Sequence, residues 1–488
     1  MRMLRKATVG LTLAICLAEP GVARADEVTH WNEVLLQNFR TDFGQGCPCP
    51  LARAGAIVHV AIYDAVNSID RTHEPYMQFL PASEGASREA AVAAAAYHTM
   101  MDLFPNSASL LDAEYAARLA LIDDGPAKTA GVEVGMAAAA ACLLLRSDDG
   151  SQTVEPYKFT PAPGWYRPTP PDFDPICNPE WVHVLPWCME QPDHFRSNGP
   201  LGYRNMRQLL RSRRYADQVN EVKRIGARNS PFRTEEQTRI AFFWAVDVNG
   251  TCKPPGQMFQ IAQAISRDRG LSLSENARLF AYVGMAMCDA GIAAWDMKYG
   301  TDIDLWRPIT AIREADTDNN PWTTADPNWE PLNPFTPPFP AYVSGHATFA
   351  AAACFAMAEF FGTDRITFTL ESEDPFYQQL PSHPPRTFHR LSDAAWENAL
   401  SRVYLGVHYR MDAEDGFIAG RKIGRHVVRH FLRPLCTADF NGDGVTNGAD
   451  VAAFLLAFIR HRPEADFNND GVINVLDILA FLDAYVHC

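Results

Sequence analysis

Three short blocks of sequence between residues 295 and 412 concentrate side chains that could hold and activate a small oxyanion. They supply three cations, two histidines, an aspartate and a predicted helix start: Lys298, Arg307, Arg402, His346, His408, Asp412 and the pair Ser344-Gly345. Guanidinium and ammonium groups form charge-assisted hydrogen bonds with oxyanions, and the free N–H groups of a helix N-terminus favour an anion. One histidine could bond to the central atom while the other moves protons. The combination predicts a pocket for one compact tetrahedral oxyanion.

Taken one at a time, these residues have ordinary structural explanations. A lysine at a helix end usually favours the helix dipole, and most arginines form surface ion pairs. A buried histidine is usually a satisfied core residue, and Asp412 could simply cap the last helix of its domain. The prediction therefore depends on the combination of residues and not on any one of them.

The spacing of the blocks resembles the superfamily shared by vanadium-dependent haloperoxidases and type 2 phosphatidic-acid phosphatases. Its signature reads Lys-x6-Arg-Pro, then Pro-Ser-Gly-His, then Ser-Arg-x5-His-x3-Asp. The third motif is matched in full by Ser401, Arg402, His408 and Asp412. The second is matched by Ser344-Gly345-His346, which follows a valine where the motif has proline.

The first motif departs from the pattern, because eight residues in place of six separate Lys298 from Arg307. We expect the two extra residues in the loop 300–304. The run that begins Trp306-Arg307-Pro308 looks like the bacterial haloperoxidase version, and residues 56–67 resemble an N-terminal helix of that group. The resemblance covers most of residues 30–430.

The resemblance implies a role for each site residue. The vanadate oxygens would be bound by Lys298, Arg307, Arg402, Ser344 and the Gly345 amide. His408 would be the axial ligand to vanadium, oriented by Asp412 through its other ring nitrogen. His346 would be the acid–base residue, and Lys298 would also polarise the oxidant. Vanadium would act as a Lewis acid while halide and hydrogen peroxide react to give a hypohalous acid that halogenates an organic acceptor.

Three aromatic residues flank the first two motifs. Trp295 lies three residues before Lys298, on the same helical face, and Phe339 and Tyr342 precede the Ser-Gly-His motif. They resemble the aromatics on the halide side of the family's pocket. Ordinary core packing is an equally good explanation.

The same residues suit two other functions. In a soluble acid phosphatase His408 would attack the phosphorus of a phosphate monoester, Asp412 would hold it, and His346 would protonate the leaving oxygen. A third hypothesis is a non-catalytic secreted protein that attaches to a surface. We favour the haloperoxidase.

The elements that must position these residues are predicted to be helices. Residues 51–69, 88–103, 107–122 and 130–145 have helical apolar spacing, and Thr234, Ser274, Ser344 and Ser392 are predicted to begin four more. The helix from Ser274 to Lys298 is apolar nearly all round, which predicts burial in the centre of a bundle. Segments 156–200 and 317–340 are rich in proline and are predicted as ordered loops. Few segments alternate apolar and polar residues, so residues 26–432 are predicted to form an all-α domain.

The C-terminal tail, residues 433–488, contains a duplication with an interval of 27 residues. Oxygen-bearing side chains, with one backbone carbonyl from a valine, recur at the spacing of a calcium loop: Asp439, Asn441, Asp443, Val445, Asn447, Asp450 and Asp466, Asn468, Asp470, Val472, Asn474, Asp477. An apolar helix is predicted after each loop, over residues 451–459 and 475–485. The alternative is a pair of Asx-rich turns without metal.

This tail resembles a type I dockerin, a small α-helical module with paired EF-hand-type loops. The resemblance implies two calcium ions and a cell-surface or cohesin-like partner for residues 433–488. The positions that often contact a cohesin in that family are Gly448-Ala449 and Val475-Leu476 here, in place of hydroxyl residues.

Composition and the N-terminus predict an exported protein. Residues 1–25 combine a basic start, a short apolar run and an Ala-x-Ala cleavage site, which is typical of a signal peptide. The net charge of −15 argues against non-specific nucleic-acid binding. No later stretch is expected to be long and apolar enough to span a membrane. Candidate disulfides, which export would permit, pair Cys436 with Cys488 and Cys177 with Cys188.

Overall fold

The computed structural model describes residues 26–41, 47–441, 445–468 and 470–488. Its helices are α1 (Glu27–Thr41), α2 (Pro48–Asp70), α3 (Arg88–Leu103), α4 (Ala108–Leu119), α5 (Pro126–Arg146), α6 (Met206–Leu210), α7 (Arg213–Ile225), α8 (Glu235–Phe243), α9 (Lys253–Arg269), α10 (Leu273–Tyr299), α11 (Pro308–Arg313), α12 (Gly345–Phe360), α13 (Pro375–Gln378), α14 (Leu391–Tyr404), α15 (Arg410–His430), α16 (Gly448–Ile459) and α17 (Val475–His487). Two strands, β1 (Phe368–Leu370) and β2 (Arg386–Phe388), pair antiparallel with Phe368 opposite Phe388. The predicted helical fold is confirmed, and this short sheet is an addition to it.

Three helices, α2, α10 and α12, form the centre of the bundle, and nearly all their residues are buried. Their alanines and glycines allow close packing between helix backbones. One close approach is between α12 and α15, where a Cβ at Gly420 would lie 2.2 Å from the carbonyl oxygen of Thr348. A Cβ at Gly424 would lie 2.3 Å from the carbonyl oxygen of Ala352. Because these glycines have no side chain, α12, whose first turn contains His346, can pack directly against α15, which begins just after His408.

Three predicted helix boundaries were wrong for local reasons. α10 begins slightly earlier than expected, at Leu273, because its cap is Ser272, in a reciprocal capping box with Glu275. α8 ends at Phe243 and not at Val246, whose positive φ of 40° is incompatible with a continuing helix. In α14 Ser392 lies inside the first turn and does not cap the helix, since Arg390 occupies the cap position.

The cysteines divide into two pairs and a buried set. Cys436 and Cys488 are bonded as predicted. The Cys177–Cys188 pairing is wrong, because Cys177 is bonded to Cys47, 130 residues away. Cys188 is buried as a free thiol, as are five others: Cys49, Cys142, Cys252, Cys288 and Cys354. The first disulfide ties the start of α2 to the proline-rich loop.

The C-terminal tail packs around a small core of its own. This core contains Ala438, Phe454, Ala457, Ala465 and Phe481, and it is separate from the large core of the bundle. The two helices predicted after the loops are present as α16 and α17. The domain limits of 26–432 and 433–488 remain a prediction. The signal segment 1–25 lies outside the described residues.

Three helices in the described part of the chain are long and apolar enough to cross a membrane by length and composition alone: α2, α5 and α10. The expectation that no stretch would reach this length and hydropathy was therefore wrong. Within the hydropathy window of α2 and α10, 89% and 94% of residues are buried inside the protein. Their apolar side chains serve the core of the bundle. In α5 the buried share is 33%.

Candidate active site

The predicted site residues come from five separate elements that meet at their ends. Lys298 lies in the last turn of α10, Arg307 immediately precedes α11, and the Ser344-Gly345-His346 motif begins α12. Arg402 lies in the last turn of α14 and Asp412 in the first turn of α15. The following residues are all at most 9% exposed: Lys298, Arg307, Ser344, His346, Arg402, His408 and Asp412. The structure therefore brings the three sequence blocks together.

His408 is held in one orientation by two charged neighbours. Its Nδ1 is 3.0 Å from Oδ2 of Asp412, and its Nε2 is 3.0 Å from Nη1 of Arg307. Because the carboxylate accepts and the guanidinium donates, the hydrogen belongs on Nδ1 and the lone pair on Nε2. Asp412 Oδ2 also accepts the backbone N–H of Tyr409 at 3.0 Å. Asp412 therefore both caps α15 and orients His408.

Asp247 joins the second histidine to Arg402 and was missed by the sequence analysis. Nη2 of Arg402 donates to Oδ2 of Asp247 at 2.8 Å, and Nε2 of His346 lies 3.7 Å from Oδ1. His346 Nε2 also lies 3.1 Å from the carbonyl oxygen of Ala245. Asp247 lies in an irregular loop after α8 and belongs to none of the three motifs. No periodicity or spacing in the sequence marks it.

Lys298 reaches the site despite the two additional residues before Arg307. Its Nζ donates to the carbonyl oxygens of Pro340, at 2.7 Å, and of Val343. The ammonium also lies 4.8 Å from the ring centroid of Phe339. These contacts hold it beneath the segment that leads into Ser344, whose hydroxyl caps α12 at the N–H of Ala347.

Several donors around His408 are buried without a hydrogen-bond partner. They are Nη2 of Arg307 and both Nε and Nη1 of Arg402. A buried charged donor without a partner is costly, and such groups in a folded protein call for an explanation. An oxyanion bound between the two guanidiniums, at the start of α12, would supply the missing acceptors. The residues present therefore fit vanadate or phosphate.

A cavity of about 400 Å³ opens onto Arg402 and His408. Its inner end includes Gly345, His346, Arg402, His408 and Asp247. Trp295 and Phe339 also line it, as predicted for the aromatic residues. Tyr342 does not, because its hydroxyl donates to Asp415 at 2.7 Å, away from the cavity.

Burial and the local cations change the proton affinities of the site. Burial, and then the charge of Arg402, lower the pKa of His346 to about 4. Burial and Arg307 lower the pKa of His408, and the same two causes lower the pKa of Lys298. Burial raises the pKa of Asp412 to about 7. Both histidines are therefore neutral near pH 7, and a bound anion would raise their proton affinity.

Comparisons with known proteins agree with this geometry. Residues 278–436, which contain every residue of the three motifs, match the family model described as the VCPO second helical-bundle domain. The chain is 28% identical to the vanadium chloroperoxidase of Curvularia inaequalis over an alignment that covers 91% of this chain and 87% of that protein.

Solved structures extend the similarity to the fold of most of the chain. A bacterial vanadium-dependent iodoperoxidase superimposes with a TM-score of 0.70 at 24% identity, over 83% of this chain and 97% of that one. A holo-type bacterial vanadium-dependent chloroperoxidase gives a TM-score of 0.60 at 17% identity, over 84% and 93%. At these identities the superpositions show a shared fold.

The C-terminal loops are organised differently from the active site. In the second loop Asp466 accepts the N–H groups of Asp470 and Gly471, at 3.1 and 2.9 Å. Asp477 accepts those of Asn468 and Asn474, at 3.2 and 2.7 Å. Among the described residues no group of three or more His, Cys, Asp or Glu side chains is arranged to hold a metal ion. Asp443, a predicted ligand of the first loop, lies outside the described residues.

Proposed function

We propose that the protein is a vanadate-dependent haloperoxidase that oxidises halide with hydrogen peroxide. The observation that carries the proposal is the set of buried, unpartnered donors of Arg307 and Arg402 near Nε2 of His408, the ring nitrogen that carries the lone pair. The matched haloperoxidase domain supports the choice of vanadate as the oxyanion.

Arg307 and Arg402 would bind the oxyanion through their three unpartnered nitrogen atoms, and the Gly345 end of α12 would add the positive end of a helix dipole. His408 would offer Nε2 as a ligand, because Asp412 holds the ring hydrogen on Nδ1. Vanadate in this place would supply a Lewis acid that makes peroxide electrophilic. The low pKa of His408 keeps the ligand nitrogen unprotonated.

His346 moves the proton in this scheme. It lines the cavity between Arg402 and the loop of Asp247. In the free protein Arg402 opposes its protonation, whereas the carboxylate of Asp247 favours it. A bound anion offsets the effect of Arg402, so His346 can take a proton from peroxide and return it to the leaving oxygen. The balanced reaction consumes halide, hydrogen peroxide and one proton, and yields hypohalous acid and water.

The test is to assay metal-free protein with bromide and peroxide before and after vanadate is added. The proposal expects halogenation only after the addition. Turnover of a phosphate monoester without vanadate, and no halogenation with it, would identify a soluble phosphatase on the same residues. Silence in both assays would favour the non-catalytic hypothesis. Chloride and iodide in parallel would define the halide preference.

We infer in addition that the protein is secreted and that residues 433–488 bind calcium. The support is the signal-like segment 1–25, the register of the two repeated loops, and helices α16 and α17 at the positions that such loops require. N-terminal sequencing of secreted material tests the first inference. Equilibrium dialysis with radioactive calcium tests the second, and binding of fewer than two ions would contradict it.

A further inference from the structure

The cavity in front of His408 is larger than the small reactants need. Its volume is about 400 Å³. A halide ion is close in size to a water molecule, whose share of liquid volume is ~30 Å³. A tetrahedral oxyanion, one peroxide and one halide would leave much of the space open. Cavities of this size in proteins usually accept an organic molecule.

Apart from the oxyanion end, the lining of the cavity is mostly apolar and built largely from rigid side chains. We call one set of these residues the outer wall: Pro48, Pro175, Ile176, Phe335, Pro337 and Pro338. Trp295 and Phe339 line the same cavity, with their ring centroids 4.9 Å apart. Such a lining offers flat, desolvated contacts to an aromatic ring and no hydrogen-bond donors from its prolines.

Cys177 fixes the outer wall from one side. It is bonded to Cys47, and its N–H donates to the carbonyl oxygen of Pro338 at 3.1 Å. Its own carbonyl oxygen accepts from Nε1 of Trp295 at 3.2 Å and from the hydroxyl of Tyr299 at 3.0 Å. The wall is therefore joined to α2, to α10 and to the segment before α12. A preformed wall lowers the entropic cost of binding a ligand.

Among the described residues that line the cavity, those outside the oxyanion end include no cation that could pair with an anionic acceptor. The charged residue among them is Asp174, which is exposed. A halide passes on to the cations of the oxyanion end, whereas an anionic organic acceptor would have to leave water for the apolar outer wall, at a cost in desolvation. A neutral acceptor avoids that cost.

We propose that the outer wall binds a neutral, electron-rich aromatic acceptor, which is halogenated before hypohalous acid leaves the cavity. This rests on the proposed haloperoxidase function, which supplies the hypohalous acid. In the transfer a carbon–halogen bond forms at the ring and the oxygen–halogen bond breaks. The ring carbon loses its proton, which joins the departing hydroxide as water. No further oxidant is needed.

The test is a competition between two acceptors, neutral 1,3-dimethoxybenzene and anionic 3,5-dimethoxybenzoate, during bromide oxidation. The ratio of the two brominated products is compared with that given by reagent hypobromous acid in the same buffer. The proposal expects the enzyme to favour the neutral acceptor by about 10-fold more than the reagent does, which is the scale of discrimination by a small apolar contact.

Variants locate the effect. Ile176→Asp places a charge on the outer wall and should return the product ratio to that of the reagent, while hypobromous acid production continues. The matched control is Leu185→Asp, an exposed position of the same proline-rich segment that does not line the cavity, and it should leave the ratio unchanged. Equilibrium dialysis of 1,3-dimethoxybenzene against vanadate-free protein gives a second readout, in which Ile176→Asp should weaken binding.

The outcomes separate the two proposals. A wild-type product ratio equal to that of the reagent, with bromide oxidation intact, would overturn the acceptor site and leave the haloperoxidase function standing. Equal ratios in wild type and Ile176→Asp would also overturn it. Absence of bromide oxidation in every protein would instead contradict the proposed function.

Discussion

The cations around His408 and the acids of the two C-terminal loops are both dense clusters of charge, but they are satisfied in opposite ways. At the candidate active site Arg307 and Arg402 are completely buried and keep three nitrogen atoms without a hydrogen-bond partner. In the second loop the carboxylates of Asp466 and Asp477 accept hydrogen bonds from the backbone of their own loop. The comparison shows how to judge a motif: buried polar atoms that the fold leaves without hydrogen-bond partners are stronger evidence for a ligand site than charged residues that already have partners.

The difference follows from position in the chain. The site residues come from five elements, so only the assembled bundle can bring them together and exclude water from them. Each C-terminal loop is a local unit in which an Asp can turn back to the nearest N–H groups, as Asx residues commonly do. The polar groups of such a local loop can thus be hydrogen-bonded before any ligand binds.

The largest expected effect is at His408, the proposed ligand residue. His408→Ala should abolish retention of vanadate, because only the hydrogen bonds of Arg307 and Arg402 would then hold the oxyanion. Vanadium content after gel filtration measures retention. The control is His389→Ala, at an exposed histidine outside the site. Retention in His408→Ala equal to that of wild type would show that the buried donors suffice and that His408 is not a ligand.

Asp247 gives the next largest effect. Asp247→Asn should lower the turnover number about 100-fold, the scale of one general acid–base contribution. Removing the carboxylate also removes an interaction that raises the pKa of His346, so the pH–rate profile should shift to lower pH. The control is Asp268→Asn on the exposed end of α9. A loss of activity with no change in the pH profile would indicate a structural role only.

Addition of calcium tests whether the carboxylates of the C-terminal loops bind a metal ion. If calcium binds residues 433–488, a concentration 100 times its Kd should stabilise that part by ~2.7 kcal/mol. Hydrogen exchange of α16 and α17 should slow on calcium addition while exchange in α10 stays constant. Asp470→Asn should weaken the response. If the hydrogen-exchange rates of α16 and α17 do not change on calcium addition, the loop carboxylates keep their backbone hydrogen bonds and do not bind the ion.

A buried histidine outside the site provides the smallest effect. Burial lowers the pKa of His59 to about 3, and its Nε2 lies 3.2 Å from Asn32 Oδ1. The unfolded chain therefore binds the proton first, and the folded state loses stability as pH falls below 6.5. His59→Gln should remove ~2 kcal/mol of the difference in unfolding free energy between pH 7 and pH 5. Chemical denaturation at both pH values measures it, and an unchanged difference would contradict the assignment.

Sequence was sufficient where the signal is local or repeated. Helical periodicity predicted α2 and α3, the Ser344 cap predicted α12, and motif spacing predicted the residues that meet at His408. Asp247 could not be predicted, because only the fold brings its irregular loop to Arg402. The partner of Cys177 was missed for a related reason, since residues separated by 130 positions leave no pattern between them. The end of α8 before Val246 could not be predicted, because a valine gives no sign in the sequence that its φ is positive.

The contact between α12 and α15 sets the distance between His346 and His408, and glycines of α15 make that contact close. Gly420 and Gly424 lie about three and four helical turns beyond His408, yet a methyl group at either would meet a carbonyl oxygen of α12. Adding it would act as a wedge, tilting α15 so that its first turn, with His408 and Asp412, swings relative to the helix that starts at His346. The distance between His346 and His408 thus depends on the absence of side chains at Gly420 and Gly424.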